Sequence, residues 1–245
     1  MPSRLVLLIK AFGLADGVKF YVHFLFKKYG AFKSAKYKSR FRLRKNFADK
    51  YTFTQVFLDD QYNIDFPFQP LTIIDGGANI GLAAAYFAYR YPEASIVAIE
   101  PSKNNFKMVQ ENTAAFKQIK AYCKGIWSKS AYLHIINATD HDNAFIVEET
   151  AQNHKDAIPA VSIEDIMRQH NWKYIHILKL DIEGSEKEVF ESGFEYWLPR
   201  TRAIIIEIHD HMRSGASKAV FQAITKYNFS FSLQHENLIF INQGL

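Results

Sequence analysis

Residues 71–91, LTIIDGGANIGLAAAYFAYRY, place a β-strand, a glycine-rich loop and an α-helix in immediate succession. LTIID (71–75) is a short apolar run of the kind that forms a parallel strand covered on both faces. DGGANIG (75–81) supplies glycines for a sharp turn, and IGLAAAYFAYRY (80–91) reads as a helix that ends before Pro92. The stretch predicts a strand-loop-helix unit. In open parallel sheets, the loop beyond the carboxyl end of a strand is where ligands bind.

Strands and helices continue to alternate along the rest of the chain. Further strands are predicted at 95–100, 119–123, 175–178 and 202–208, and helices at 102–117, 162–170, 186–192 and 215–227. Candidate hairpin strands are AYLHII (131–136) with NAFIV (143–147), and FSFSL (229–233) with NLIFI (237–241). This order predicts an α/β fold with a doubly wound, mostly parallel sheet and an antiparallel edge hairpin.

Charge is unevenly distributed along the 245 residues. Residues 1–50 hold 13 Lys and Arg against two acids, a net of +11, which leaves −6 for residues 51–245 out of a total of +5. We predict a basic, aromatic-rich N-terminal extension over residues 1–45 and a main domain over 46–245. Nucleic acid, an anionic membrane surface, a second subunit or simple solvation would each suit the extension.

Two features of the sequence bear on where the protein works. Lysines 10, 19, 27 and 28 interrupt the apolar runs near the N-terminus, so none reaches the roughly 18 residues needed to span a bilayer. The single cysteine, Cys123, excludes an intramolecular disulfide and makes a cysteine-based zinc site implausible. We expect a cytoplasmic protein, or one peripheral at the inner membrane surface.

The glycine loop favours one class of nucleoside cofactor. A dinucleotide motif G-x-G-x-x-G is matched imperfectly by Gly76, Ala78 and Gly81, and Asp75 would repel a pyrophosphate at the helix N-terminus. S-adenosylmethionine carries an ammonium and a sulfonium and no phosphate, so it suits this loop better. Glu100, at the end of the second strand, can accept hydrogen bonds from both ribose hydroxyls. Both acids could instead cap nearby helices.

A second set of polar residues follows the strand in LKLDIEGSEKEVF (178–190). Lys179 and Asp181 are two apart and share one face of the strand. Ser185 and Glu188 have the spacing of a capping box for the next helix. Lysine and carboxylates at a strand end mark a place where chemistry or a structural ion pair is expected.

Strand 202–208 places Glu207 and His209 on one face. We predict that Glu207 pairs with buried Lys179, because an unpaired buried lysine is costly. Asp181 and His209 are then the candidate general bases, since histidine titrates near neutral pH.

Five stretches of the sequence resemble the FkbM family of S-adenosylmethionine-dependent methyltransferases. They are IIDGGANIG (73–81), AIEPSKNNF (98–106), PAVSIEDI (159–166), LKLDIEGSEKEVF (178–190) and IIIEIHD (204–210). Residues 41–62 are also similar to the segment that precedes the family's core, so the resemblance covers roughly residues 41–245. It implies a class I, Rossmann-like methyltransferase fold. It also implies O-methylation of a hydroxyl on a sugar, polysaccharide or natural product.

The resemblance implies roles for residues at the strand ends. Cofactor-binding residues are expected to be Asp75, Gly76, Gly77, Ala78, Asn79, Gly81, Glu100, Pro101, Ser102, Gly125 and Asp181. Catalytic residues are expected to be Asp181, His209 and Lys179, and substrate-binding residues Glu183, Glu186 and Glu207. GIWSKS (125–130) is similar to the stretch that lies along the adenine, although Trp127 has no matched role. The family does not require a metal, and we expect none.

Other functions compete with this interpretation. Nucleic-acid amino-methyltransferases usually carry N/D-P-P-Y/F after the fourth strand, where this chain has DIEG (181–184), so a nucleic-acid substrate is disfavoured. A non-catalytic nucleoside-binding module would have little need of Lys179, Asp181 and His209 together. An NAD-dependent oxidoreductase is disfavoured by Asp75. Expected partners are a carbohydrate or natural-product acceptor, with membrane or homo-oligomer contact through the extension.

Overall fold

A computed structural model describes residues 3–25, 30–136 and 146–245 of the chain. The N-terminal elements are α1 (Arg4–Phe12), α2 (Leu14–Leu25), β1 (Gly30–Ser34), β2 (Ser39–Leu43) and α3 (Phe47–Phe57). Alternating units follow: β3 (Thr72–Gly76), α4 (Leu82–Arg90), β4 (Ser95–Ile99), α5 (Lys103–Thr113) and β5 (Ile119–Tyr122). Four short strands come next: β6 (Gly125–Ile126), β7 (Ala131–Ile135), β8 (Val147–Thr150) and β9 (Ile158–Val161). The C-terminal elements are α6 (Ile163–Gln169), β10 (Ile175–Leu180), α7 (Glu186–Glu191), β11 (Thr201–Ile206), α8 (Ala216–Ile224), β12 (Phe229–Gln234) and β13 (Asn237–Asn242).

The central sheet has seven strands in the order β12-β13-β11-β10-β3-β4-β5. Strands β11, β10, β3, β4 and β5 are parallel, whereas β13 runs antiparallel to both β11 and β12. The chain builds outward from β3 through β4 to β5, and later from β10 through β11 in the other direction. The fold class predicted from the sequence is confirmed. The order reverses between β3 and β10, so the ligand crevice is expected there.

Alternate residues of the strands fill two apolar cores on the two faces of the sheet. Ile73 of β3 belongs to one core and its neighbour Ile74 to the other. The core on the Ile73 side also contains side chains from the N-terminal elements. Phe12 packs against Phe53 of α3, and Phe41 packs against Phe57 of the same helix. Side chains from both sides of residue 45 therefore share one core. The domain boundary near residue 45 remains a prediction.

A smaller sheet of four strands lies beside the main one, in the order β6-β9-β7-β8. Strand β7 pairs antiparallel with β8, in the region of the predicted hairpin. Residues 143–145 of its second predicted strand lie outside the described residues, as do Lys27 and Lys28. Within the ranges that the structure describes, no helix combines the length and apolar character needed to cross a bilayer.

Candidate functional site

The glycine loop after β3 is held tightly between β4 and β10. The N–H groups of Gly77 and Ala78 donate to the carbonyl of Ile99 at 3.1 and 2.9 Å, and the N–H of Asp181 donates to the carbonyl of Gly76 at 3.1 Å. Gly77 has φ +72°, and a Cβ there would lie 1.7 Å from the carbonyl oxygen of Asp181. A side chain at residue 77 would displace the loop from β10, so glycine is needed on both grounds.

A cleft of about 570 Å³, its open mouth included, lies over this loop; we call it the first cleft. Its lining contains six of the predicted cofactor-binding residues: Gly77, Asn79, Glu100, Pro101, Gly125 and Asp181. Asn105, Glu183 and Ser185 also line it. Predicted cofactor residues that are not part of this lining are Asp75, Gly76, Ala78, Gly81 and Ser102. Gly81 and Ser102 are the N-cap residues of α4 and α5, so their positions have a helical explanation.

Glu100 closes the inner end of the first cleft. Its carboxylate accepts hydrogen bonds from the N–H groups of Asn79 at 2.8 Å and Ser102 at 2.9 Å. Burial raises the pKa of Glu100 to about 7, although the two backbone hydrogen bonds act against that rise. Glu100 thus fixes the glycine loop and remains on the wall of the cleft.

Lys179 lies beneath the loop and pairs with Asp75, at 3.2 Å between Nζ and Oδ1. The predicted pair with Glu207 is wrong. In the sheet Lys179 is level with Asp75 of β3 and Ile205 of β11, so Glu207 lies further along its strand. The Lys179 ammonium also donates to the carbonyl of Gly77 at 2.7 Å.

The Lys179–Asp75 pair is buried, with side-chain exposures of 3% and 0%. Burial, the largest single effect, would lower the pKa of Lys179, but the charges of Asp75, Tyr62 and Asp181 and the hydrogen bond to Asp75 together outweigh it and keep the lysine protonated. Asp75 therefore contacts Lys179 under the floor of the site, and no part of its side chain is exposed.

His209, in the loop after β11, is surrounded by carboxylates. Its Nδ1 atom lies 3.1 Å from Oε1 of Glu186. Its Nε2 atom faces three others, at 3.4 Å from Glu207, 3.5 Å from Glu183 and 3.7 Å from Asp181. Burial alone would lower the pKa of His209, but the hydrogen bond with Glu186 and the other carboxylates raise it to about 11.

The crowding of negative charge also shows in the acids themselves. Burial raises the pKa of Asp181 to about 6, and Glu207 adds to that rise while Lys179 opposes it. Burial raises the pKa of Glu183 to about 8, and the neighbouring charge of Asp181 acts in the same direction. The sequence predicted that these residues converge. Their proximity follows from β10 and β11 being neighbours in the sheet.

Glu186 occupies a different place from the one expected of a substrate-binding residue. It is fully buried, and its Oε1 accepts from the N–H of Ile182 at 3.1 Å as well as contacting His209. The predicted capping box is also wrong, since Ser185 makes no side-chain cap hydrogen bond. Glu188 instead pairs with Arg213, an interaction that spans α7 and the loop before α8.

A second cleft, of about 620 Å³ with its open mouth, lies on the other side of the glycine loop. It shares Gly77, Asn79, Asp181 and Glu183 with the first cleft and also reaches Glu207 and His209. Ala78, Ala83 and Lys179 line it as well. A further wall comes from α3 and the segment after it: Tyr51, Thr52, Gln55, Val56, Gln61 and Tyr62.

None of these wall residues was assigned a site role from the sequence. Gln55 follows Tyr51 by four residues and Thr52 by three, a spacing that brings polar side chains together on one side of a helix. This spacing could have revealed them. Trp127 is also placed away from both clefts. It is buried, and its indole N–H donates to Glu149 at 2.7 Å.

Comparisons with known proteins agree on the class of protein. The model of the methyltransferase FkbM domain matches residues 75–231. The chain is 28% identical over 192 residues to methyltransferase sdnD of Sordaria araneosa, covering 64% of this chain and 74% of that protein. It is 26% identical over 170 residues to methyltransferase 1 of Beauveria bassiana, covering 58% and 67%.

A solved structure shows the same fold. The FkbM methyltransferase from Methylobacillus flagellatus KT superposes with a TM-score of 0.50 at 18% identity, over 72% of this chain. The match spans 44% of that longer chain, so the similarity concerns the fold. The family model covers more than half of the present sequence. The chain belongs to the FkbM family of S-adenosylmethionine-dependent methyltransferases.

Proposed function

We propose that this protein transfers the methyl group of S-adenosylmethionine to a hydroxyl of a carbohydrate or natural product. The observation that carries the proposal is the position of Asp181, which borders both clefts. The first cleft has the glycine loop and an acid for a nucleoside. The second is lined by carboxylate, amide and hydroxyl groups, which suit a polyhydroxylated acceptor.

The residues of the first cleft fit the cofactor. Glu100 lies on its wall with a carboxylate able to accept hydrogen bonds from two ribose hydroxyls. Gly77 lets the backbone approach a ligand closely, and Asp181 offers a counter-charge for an ammonium group. When bound, the cofactor supplies a methyl group on a positively charged sulfur. Asp75 pairs with Lys179 beneath the glycine loop, so we propose that its role is to support that loop.

The task of the second cleft is to hold the acceptor oxygen in line and to accept its proton. Orientation of this kind supplies about 7 to 11 kcal/mol, and a positioned base typically adds about 10² to 10⁴ in rate. Asp181 is the proposed proton acceptor because it stands where the two clefts meet. Glu183 and Glu207 would accept hydrogen bonds from the acceptor, while buried Glu186 would orient His209.

Asp181→Asn tests this assignment. The variant should bind S-adenosylhomocysteine in calorimetry with a loss of at most about tenfold from the missing counter-charge, and methyl transfer at saturating cofactor should fall by about 10² to 10⁴. Transfer is measured with isotopically labelled cofactor and panels of glycans, polyphenols and RNA. Full turnover in Asp181→Asn would remove this residue from the mechanism. If only RNA becomes labelled, the proposed class of acceptor is wrong and the acceptor is RNA.

We also propose that the N-terminal elements contact an anionic membrane surface. The exposed face of α2 is apolar, with Leu14 70% and Leu25 60% exposed and Val18 and Val22 beside them. Residues 1–50 contain only two acids, and both are buried: Asp16 accepts from the N–H of Ala35, and Asp49 pairs with Arg44. An exposed apolar face on a segment with a large excess of lysine and arginine suits the interface of an anionic bilayer.

A further inference from the structure

His209 presents one ring nitrogen to a group of carboxylates that do not hydrogen-bond it well. The three oxygens around Nε2 lie at 3.4 to 3.7 Å, beyond the roughly 2.7 to 3.2 Å of an ordinary N–H···O bond. The side chain is only 7% exposed, so water has little access to this nitrogen. Three carboxylate oxygens around one imidazole nitrogen at these distances are compatible with ligands around a shared ion.

The charge of the cluster points the same way. Five carboxyl groups and two basic side chains meet here. The acids are Asp75, Asp181, Glu183, Glu186 and Glu207, and the bases are Lys179 and His209. Buried charge of one sign needs compensation. A histidine that binds a metal ion through Nε2 is neutral, so a divalent cation between the carboxylates would supply the compensation that a protonated His209 otherwise gives.

Ligand spacing is compatible with one ion. One atom each from Asp181, Glu207 and His209 lie within 4.8 Å of one another. Two atoms that bind one ion at about 2.1 Å are about 3.0 Å apart at an octahedral angle and about 3.4 Å apart at a tetrahedral angle. The contacts of Nε2 with Glu207 at 3.4 Å and Asp181 at 3.7 Å need only a small inward shift.

The other ring nitrogen of His209 is held as in known metal sites. Metal-binding histidines usually donate their second N–H to a carboxylate, which fixes the ring and its tautomer. Glu186 is in this position, 3.1 Å from Nδ1, and is itself fixed by the N–H of Ile182. This arrangement explains why a glutamate is fully buried behind the site.

We propose that Asp181, Glu207 and His209 bind a divalent cation in the second cleft, with Glu186 as a positioning residue. Two carboxylates and one imidazole suit Mn²⁺ or Mg²⁺, with remaining positions left to water or to the acceptor. The proposal replaces the metal-free site expected from the sequence.

The ion also narrows the acceptor class, an inference that rests on the proposed function. A cation in the second cleft favours an acceptor with two neighbouring oxygens that can both bind it. A hydroxyl bound there would lose its proton more readily, and with Asp181 acting as a ligand, Glu183 would accept that proton in place of Asp181.

Binding of Mn²⁺ to the full chain, stripped with chelator and saturated with S-adenosylhomocysteine, tests the site directly. Electron paramagnetic resonance should show one bound Mn²⁺ per chain. Glu207→Gln and His209→Gln should each weaken binding at least tenfold, and Glu186→Gln by about tenfold. Glu195→Gln removes an exposed acid outside both clefts and should bind as wild type does.

Each outcome separates the ion from the proposed function. Absence of Mn²⁺ binding at millimolar concentration, or equal binding by Glu207→Gln, His209→Gln and wild type, overturns the metal site. S-adenosylhomocysteine calorimetry on each variant confirms that the fold and first cleft are intact. If methyl transfer to hydroxyls persists after chelation, the ion is excluded while the proposed function stands. If Mn²⁺ binds but no hydroxyl acceptor is methylated, the acceptor class fails and the site stands.

Discussion

Gly77 is the residue at which local geometry and ligand binding are most closely tied. It combines a positive φ with a distance of 1.7 Å between a would-be Cβ and the Asp181 carbonyl oxygen. The glycine loop and the loop after β10 approach each other closely, and this contact excludes a side chain at residue 77. The positive φ is therefore only part of the reason why glycine is needed. The side chain is excluded by β10 as much as by the turn.

Gly77→Ala should lower the affinity for S-adenosylhomocysteine at least tenfold in calorimetry, because the loop must move away from β10. Gly13→Ala is a matched control. Gly13 also has a positive φ, of 84°, but no atom lies within 4 Å of its would-be Cβ. The control should lose only about 1 to 2 kcal/mol of stability from backbone strain and keep its affinity. Equal losses of affinity in both variants would contradict the assignment.

Glu100 predicts a pH dependence of cofactor binding. Its carboxyl has a pKa of about 7 in the ligand-free protein, and the ribose hydroxyls should prefer the ionised form. Affinity for S-adenosylhomocysteine should therefore rise between pH 6 and 8, by about tenfold, and level off above that range. Of the other titratable groups near the first cleft, Lys179 stays protonated and burial raises the pKa of the Cys123 thiol. Asp181 and Glu183, with pKa values raised by burial to about 6 and about 8, also titrate across this range.

Calorimetry across pH 6 to 8 measures this dependence. In Glu100→Gln the binding should be weaker than in wild type at pH 8. Its rise between pH 6 and 8 should be smaller than the wild-type rise, because only Asp181 and Glu183 then titrate in the cleft. A wild-type affinity that falls as pH rises would show that the protonated carboxyl is the binding form.

At the scale of elements, α3 connects the apolar core with the second cleft. Phe53 and Phe57 face the core, and Thr52 and Gln55 reach the cleft from the same helix. Gln55 and Gln61 also donate to Glu236 in the turn between β12 and β13. Helix α3 thus links the N-terminal elements to the C-terminal edge of the sheet.

Phe53→Ala should cost about 3 to 5 kcal/mol of unfolding free energy, because a fully buried ring is replaced by a cavity. Phe47→Ala, in the same helix, should change it by at most about 0.5 kcal/mol, since Phe47 is 79% exposed. Urea unfolding followed by circular dichroism compares the two. Similar costs would mean that the N-terminal core does not pack as described.

The positions of many strands and helices could be predicted from the sequence. The strands at 71–75, 95–100 and 202–208 lie within two residues of their observed limits because buried parallel strands are continuous apolar runs. The partner of Lys179 could not be predicted, since it depends on which strand lies on each side and in what register. The residues of α3 that line the second cleft were missed because the resemblance of residues 41–62 to the family assigns no roles to individual residues there.

At the scale of the molecule, basic and acidic side chains concentrate in different parts of the fold. The N-terminal elements carry the excess of lysine and arginine and the exposed apolar face of α2. The carboxylates concentrate around the second cleft, between β10, β11 and the glycine loop. A basic surface and an acidic cleft thus occur on one continuous fold.

Leu14→Gln, Val18→Gln and Leu25→Gln together should reduce cosedimentation with phosphatidylserine-containing vesicles at least tenfold, because the apolar face then no longer enters the bilayer interface. Wild-type binding should weaken with salt and be small on neutral vesicles. Phe231→Gln with Leu233→Gln is the control, since these exposed apolar residues lie on β12. Wild-type binding independent of lipid charge, or dimerisation lost only in the α2 variant, would favour another partner.

The ammonium of Lys179 touches both halves of the site at once. It donates to the carbonyls of Gly76 and Gly77, at 3.3 and 2.7 Å, and lies 3.9 Å from Asp181. The loop under the first cleft and the acid at the edge of the second therefore share one rigid charged centre. On the proposed assignment of the two clefts, binding of the cofactor and binding of the acceptor should therefore affect each other. Thermodynamic linkage makes this effect reciprocal. If bound cofactor raises the affinity for the acceptor by some factor, bound acceptor raises the affinity for the cofactor by the same factor.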